Sequence, residues 1–194
     1  HLAGSPARQF TTLDCHDGIP VRPGLEGILS HQEMSDLADD LVARGGNINR
    51  ILGDPGVGPD VHQLNCTYYS ALGEDDERYL AARAIQLFAP GVPQLYYVGL
   101  LAGVNDFETA ERSGEGRSVN RHDYTTGEIA SALERPVVQR LLELVRMRGE
   151  HPAFEGELEV ADEGQGLLRM TRVHGRSAIE LTVDLVTGEH EITT

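Results

Sequence analysis

The chain contains no lysine: all sixteen of its basic residues are arginine, set against thirty-one acidic ones, for a net charge of −15 over 194 residues. A surface this acidic disfavours nucleic acid and anionic membranes as partners. It does not disfavour a phosphate ligand, because local Arg and His groups outweigh distant, screened carboxylates. Cysteine is nearly absent too, with only Cys15 and Cys66, far apart and without a CxxC partner. They are expected to be reduced thiols of a cytoplasmic protein, not a disulfide or a thiolate metal site. No GxGxxG, Walker loop or metal-ligand cluster occurs, so no nucleotide or metal cofactor is expected. Repeats and low-complexity tracts are likewise missing. The stretch 85–104 is uncharged over twenty residues, but Pro90, Gly91 and Pro93 interrupt it, and Gln86 and Gln94 lie within it. A helix end, a turn and a buried strand explain it better than a membrane span. There is no initiator Met and no signal-peptide pattern at the start, so the chain reads as a segment of a longer polypeptide.

The chain is organised around Phe10-Thr-Thr-Leu-Asp-Cys-His-Asp-Gly-Ile19. A short run of β-formers ends in Asp14-Cys15-His16-Asp17, and Gly18 lets the backbone turn. Two readings fit. One is ordinary turn chemistry at a strand end. The other is a barrel strand that delivers catalytic side chains at its C-terminal end.

Along the rest of the chain, Ser30-His-Gln-Glu33 forms a capping box for a helix through Met34, Leu37, Ala38, Leu41 and Val42. Residues 47–63 contain no clear element, and the Gly- and Pro-rich part is expected to be a loop. Residues 65–72 read as irregular or briefly helical. A helix over 75–88 opens on acidic residues, which suit its positive end. Residues 92–98 read as a buried parallel strand, 99–126 as a long loop and 133–148 as an amphipathic closing helix. The tail divides at Glu163-Gly164, His174-Gly175 and Thr187-Gly188 into antiparallel strands over 156–161, 166–173, 178–184 and 190–193. Tyr68, Tyr69, Tyr96 and Tyr97 read as core.

Three later stretches settle the choice at the organising motif: Asp60-Val-His-Gln-Leu-Asn-Cys-Thr-Tyr-Tyr-Ser-Ala-Leu-Gly73, Pro90-Gly-Val-Pro-Gln-Leu-Tyr-Tyr-Val-Gly99 and Gly116-Arg-Ser-Val-Asn-Arg-His122. With Leu13-Asp-Cys-His-Asp-Gly-Ile19, they resemble the sucrose phosphorylase subfamily of the α-amylase superfamily, in order, from about Phe10 to about Phe154. The last forty residues resemble that family's C-terminal domain only loosely. The resemblance implies an α/β fold: the second half of a (β/α)8 TIM barrel over 1–153, then a small antiparallel β-sheet domain over 154–194. Such a barrel needs about 250 residues, so an N-terminal half of the same polypeptide is an expected partner.

The resemblance also assigns roles. Asp17 is the carboxylate that binds the sugar and stabilises an oxocarbenium-like transition state, with His16 beside it on a sugar hydroxyl. Arg121 holds the glucosyl unit and is expected to pair with a carboxylate from outside this chain; Asn120 and His122 support it. Against these stand the plain alternatives of a strand cap and a solvated loop Arg. The nucleophilic Asp and acid/base Glu of a retaining mechanism would lie outside the chain. Asp60, His62 and Gln63 match the mobile acceptor loop, with Asn65 a further candidate hydrogen-bonder. A Tyr of the sucrose-specific pattern is replaced here by His62. A phenol suits a neutral sugar, whereas an imidazole that can become cationic suits a phosphate monoester. The expected reaction is therefore reversible phosphorolysis of sucrose 6′-phosphate, with phosphate as substrate and no cofactor. Sucrose, glucosylglycerol or glucosylglycerate are alternative substrates, and a non-catalytic carbohydrate-binding relative is a further alternative.

Overall fold

A computed structural model describes residues 9–20, 28–50 and 61–194. The chain divides into two compact units, one made of residues 1–13, 75–94 and 131–194, the other of 14–74 and 95–130.

The first unit contains a pair of parallel strands, β1 (Phe10–Thr11) and β5 (Val92–Pro93), with Phe10 opposite Val92 and Thr11 opposite Pro93. Parallel strands need a long crossover between them; here eighty residues intervene. Helix α3 (Asp76–Phe88) clamps the pair. Its Gln86 amide donates to the Thr11 and Gln94 carbonyls, each at 2.9 Å, from a buried position. This explains a glutamine inside an otherwise apolar stretch. Asp75 caps α3 by accepting from the Glu77 and Arg78 amides. Arg83, fully buried, donates to the Tyr79 hydroxyl at 3.0 and 2.8 Å and to Gln86 Oε1 at 2.9 Å.

The tail folds as the turn residues dictate. Strands β6 (Glu157–Gly164), β7 (Leu167–His174), β8 (Ser177–Asp184) and β9 (His190–Thr193) form a four-stranded antiparallel sheet in chain order. Met170, Ile179, Leu181 and Val183 of its inner face pack with Ala81, Ala84 and Phe88 of α3 and with Phe154. Phe88 and Phe154 meet edge to face with centroids 5.1 Å apart. Burying each such ring contributes about 1.5–3 kcal/mol.

The helix expected over 133–148 is α7 (Pro136–Glu150), and a separate helix, α6 (Thr126–Leu133), precedes it. Pro136 lacks the N–H a continuous helix requires, yet suits the first turn of a new one.

In the second unit the capping box at Ser30 and Glu33 forms as read, opening α1 (His31–Ala43). The stretch expected to hold no element carries two strands, β3 (Asn47–Arg50) and β4 (Val61–Asn65). With β2 (Ile19–Pro20) they form an antiparallel sheet in the order β2-β4-β3. Leu64 and Cys66 pack against Met34, Ala38 and Leu41 of α1. The short α2 (Tyr68–Ala71) follows, capped by Thr67.

The strand expected over 92–98 stops at Pro93, and Tyr97–Leu100 is helix α4. The expected long loop is mostly ordered, as α5 (Phe107–Ser113) under an Asp106 cap and a 3-10 turn at Gly116–Asn120. Tyr69 is buried as expected, but Tyr97 is 43% exposed. No helix among the described residues is long and apolar enough to cross a membrane.

Candidate active site

The Asp14–Gly18 turn is built by its own backbone: Cys15 and Gly18 exchange two amide–carbonyl hydrogen bonds, at 3.3 and 2.9 Å. Gly18 has φ +92°, and a Cβ there would lie 2.2 Å from the Leu64 carbonyl oxygen of β4. Only glycine fits this approach. The turn feeds directly into β2, whose Ile19 and Pro20 lie opposite Leu64 and Gln63 of β4. The Asn65 amide, buried, donates to the Asp17 carbonyl at 2.9 Å. Asn65, expected on the acceptor side, therefore holds the turn.

Arg121 reaches the same turn from 104 residues away. Its guanidinium sits 3.1 Å from Asp17 Oδ1, and its Nε donates to the His16 carbonyl at 2.7 Å. Among the described residues, the carboxylate that Arg121 meets is that of Asp17. His16 Nε2 lies 3.3 Å from Asp17 Oδ2, with the imidazole largely exposed. The three side chains expected on the glucosyl unit form one cluster: a carboxylate ion-paired on one oxygen, flanked by an imidazole, and partly open to solvent.

Asn120 underpins the cluster. It is 1% exposed, and its amide donates to the Cys15 and His16 carbonyls at 3.1 and 3.3 Å. Its own carbonyl accepts from the Tyr96 hydroxyl at 3.2 Å. Burial, with a contribution from neighbouring Tyr97, pushes the Tyr96 phenol well above its ordinary value, keeping it a donor. Asn105 fixes the neighbouring backbone: its Oδ1 accepts from the Thr67 backbone amide at 2.8 Å, and its own backbone N–H donates to the Ser70 hydroxyl at 3.0 Å.

His62 and Gln63 lie on β4, the strand paired with the one leaving the Asp17 turn. Asp60 falls outside the described residues. Cys15, His16 and Asp17 offer ligand atoms within 4.8 Å of one another, a spacing one ion could bridge. The Arg121 guanidinium already occupies the Asp17 carboxylate, and its positive charge opposes a cation there. Cys66 is buried, and burial followed by the nearby Asp14 pushes its thiol up to about 12, so it is no nucleophile.

Comparison with known proteins extends the resemblance. The chain is 50% identical over 190 residues to a sucrose 6(F)-phosphate phosphorylase of Thermoanaerobacterium thermosaccharolyticum, covering 96% of this chain and 39% of that protein. It is 44% identical to a sucrose phosphorylase of Agrobacterium vitis, over 97% of this chain and 40% of the relative. A glucosylglycerol phosphorylase of Marinobacter adhaerens is also 44% identical, over 93% and 38%. The crystal structure of the T. thermosaccharolyticum enzyme superposes with a TM-score of 0.94 over 99% of this chain and 40% of that one. No protein-family model matches. The chain thus spans about two fifths of the length of the curated relatives it matches. The similarity reaches well into the last forty residues, where the motifs alone suggested only a loose likeness.

Proposed function

We propose that this chain, similar throughout to glycoside phosphorylases of the sucrose phosphorylase subfamily, is the C-terminal part of a (β/α)8-barrel enzyme that phosphorolyses sucrose 6′-phosphate. In this reading residues 1–153 complete the barrel and 154–194 form its β-sheet domain. The parallel pairing of β1 with β5 suits two neighbouring barrel strands. Their exposed Phe10 and Val92 suit strands that further barrel strands would cover.

The observation that carries the functional reading is the meeting of Arg121 with Asp17 and His16, two motifs joined across 104 residues. Asp17 stabilises the oxocarbenium-like transition state, while His16 and Arg121 hold the glucosyl ring. An Asp from the remainder of the barrel attacks the anomeric carbon, and a Glu protonates the departing oxygen, releasing fructose 6-phosphate. Phosphate then displaces the enzyme carboxylate with a second inversion, giving α-glucose 1-phosphate with net retention. Asp60, His62 and Gln63 form the acceptor side, where an imidazole that can become cationic favours a phosphorylated fructose and then phosphate itself. The enzyme is cytoplasmic in this reading and needs no cofactor.

The test supplies phosphate with sucrose or sucrose 6′-phosphate to the full-length polypeptide and follows glucose 1-phosphate, for wild type and His62→Tyr. Faster reaction of the phosphorylated sugar, eroded by the substitution, supports the reading. Equal or better use of sucrose makes the enzyme a sucrose phosphorylase, the reading favoured by the 44% identity to such an enzyme.

A further inference from the structure

We infer that His122 is a positioning residue: by bridging Asp106 and Glu128 it pins the turn that aims Arg121 at Asp17. What the aimed Arg121 then does rests on the phosphorylase reading above. His122 Nδ1 lies 2.5 Å from Asp106 Oδ2, and Nε2 lies 3.4 Å from Glu128 Oε1. Both ring nitrogens donate only in the imidazolium. Each carboxylate is also committed to a helix start. Asp106 Oδ1 accepts from the Thr109 amide at 2.8 Å, capping α5, and Glu128 Oε2 accepts from the Thr125 amide and hydroxyl, each at 2.7 Å, at the head of α6. His122 therefore joins the starts of two helices, and it is the residue next to Arg121.

The backbone is held at the same point. The Tyr97 hydroxyl of α4 donates to the His122 carbonyl at 2.8 Å, and the His122 ring meets Tyr124 edge-on, centroids 4.5 Å apart. On its other side Arg121 spends its Nε on the His16 carbonyl and a terminal nitrogen on Asp17. With the Arg121–His122 peptide fixed at both flanks, the guanidinium has little freedom to leave the carboxylate. A residue this close to a binding group alters rate by aim alone, since a misplacement of about 1 Å costs about a hundredfold.

The groups that face the imidazole are Asp106 ahead of α5, Glu128 of α6 and the Tyr124 ring; Arg121 and Asp123 flank it in the chain, and the Tyr97 hydroxyl of α4 reaches its backbone carbonyl. The Asp106 hydrogen bond raises His122 above its ordinary value, against opposing burial and with help from Glu128. Burial alone would raise Asp106, but the Thr109 amide and His122 hold it below its usual range. A raised histidine contributes fully below its unfolded value and loses that contribution as pH rises through the folded one. The bridge is therefore complete below the unfolded imidazole value, in mildly acidic solution, and opens as pH rises through the raised folded one.

A double-mutant cycle in the full-length polypeptide tests this. His122→Phe, which removes both donors, is expected to lower kcat/KM for phosphorolysis by about tenfold to a hundredfold, with partial rescue by His122→Asn. In an Arg121→Gln background the same change is expected to cost less than about twofold, because the two residues act through one another. Equal costs in both backgrounds overturn the inference. A second readout needs no turnover: solvent exchange of the Arg121 Nε–H by NMR, expected to be slow in wild type and fast in His122→Phe. Unchanged exchange overturns the inference whatever the activity. Absence of glucose 1-phosphate from wild type counts against the phosphorylase reading alone, and the exchange measurement then decides the role of His122.

Discussion

Replacing Asn120 separates two costs that the structure allows to be worked out. The side chain is 1% exposed and donates to the Cys15 and His16 carbonyls at 3.1 and 3.3 Å. Both carbonyls keep another donor: the Gly18 amide at 2.9 Å on Cys15, and Arg121 Nε at 2.7 Å on His16. Asn120→Ala thus removes two hydrogen bonds without orphaning an acceptor, at about 1–3 kcal/mol in total. The Asn120 Oδ1, which finds no partner among the described residues, is given up at no loss. Asn120→Asp keeps the shape but turns an oxygen toward two carbonyl oxygens and buries an unpaired charge, at about 3–5 kcal/mol. The substitutions thus differ by about 2 kcal/mol in favour of the smaller residue, although Asp is the closer isostere. Burial raises the introduced carboxyl above its unfolded value. Its penalty is therefore present in neutral solution and disappears as pH falls through the folded value toward the unfolded one. Urea midpoints of the full-length polypeptide at neutral pH and near pH 5 measure both effects. An Asp variant as stable as wild type at neutral pH, or more stable than the Ala variant, would refute the account of how the turn is held.

Gly18→Ala should unmake the site itself, since the added Cβ meets the Leu64 carbonyl at 2.2 Å in a backbone with φ +92°. A loss of phosphorolysis with only a modest fall in melting temperature is expected, and unchanged activity would count against the turn's role. Thiol labelling of the native protein with iodoacetamide, read by mass spectrometry, should modify half-buried Cys15 and spare Cys66 until unfolding. The Glu77–Arg140 pair is bidentate but about half exposed. Arg140→Met should cost no more than about 1 kcal/mol, less at high salt. Glu77 is held below its usual range first by the Arg140 hydrogen bond. That contribution is therefore lost as pH falls through the folded value, and a pH-independent Arg140→Met deficit would contradict it.

How far the sequence reveals this structure depends on how local each signal is. The four tail strands were legible within about three residues, because alternation and Gly-containing turns act over single hairpins. The capping box at Ser30 and the acidic start at Asp75 were legible for the same reason. Strand β3, Asn47-Ile-Asn-Arg50, was not. It has one apolar residue, and its partner β4 lies beyond a Gly- and Pro-rich stretch, so only tertiary pairing makes it a strand. The split between α6 and α7 could have been read from Pro136 and from Thr125-x-x-Glu128, a second capping box. Of the site, Asp17, His16 and Arg121 came from motifs, but their meeting is a fact of the fold. So are the inward turn of Asn65 and Asn120 and the Asp106–His122 bond across sixteen residues, which no periodicity announces.

The central claim is that Asp17, held by Arg121, serves the glucosyl side of a phosphorolysis. Its most direct test is the initial rate of glucose 1-phosphate release from sucrose 6′-phosphate and phosphate, for full-length wild type and Asp17→Asn. Removing one charge-stabilising group from a transition state costs about a hundredfold to a thousandfold in kcat. The account predicts a fall of that size with a smaller change in KM. An Asp17→Asn enzyme as fast as wild type, or a wild type that releases no glucose 1-phosphate from this sugar or from sucrose, would contradict it.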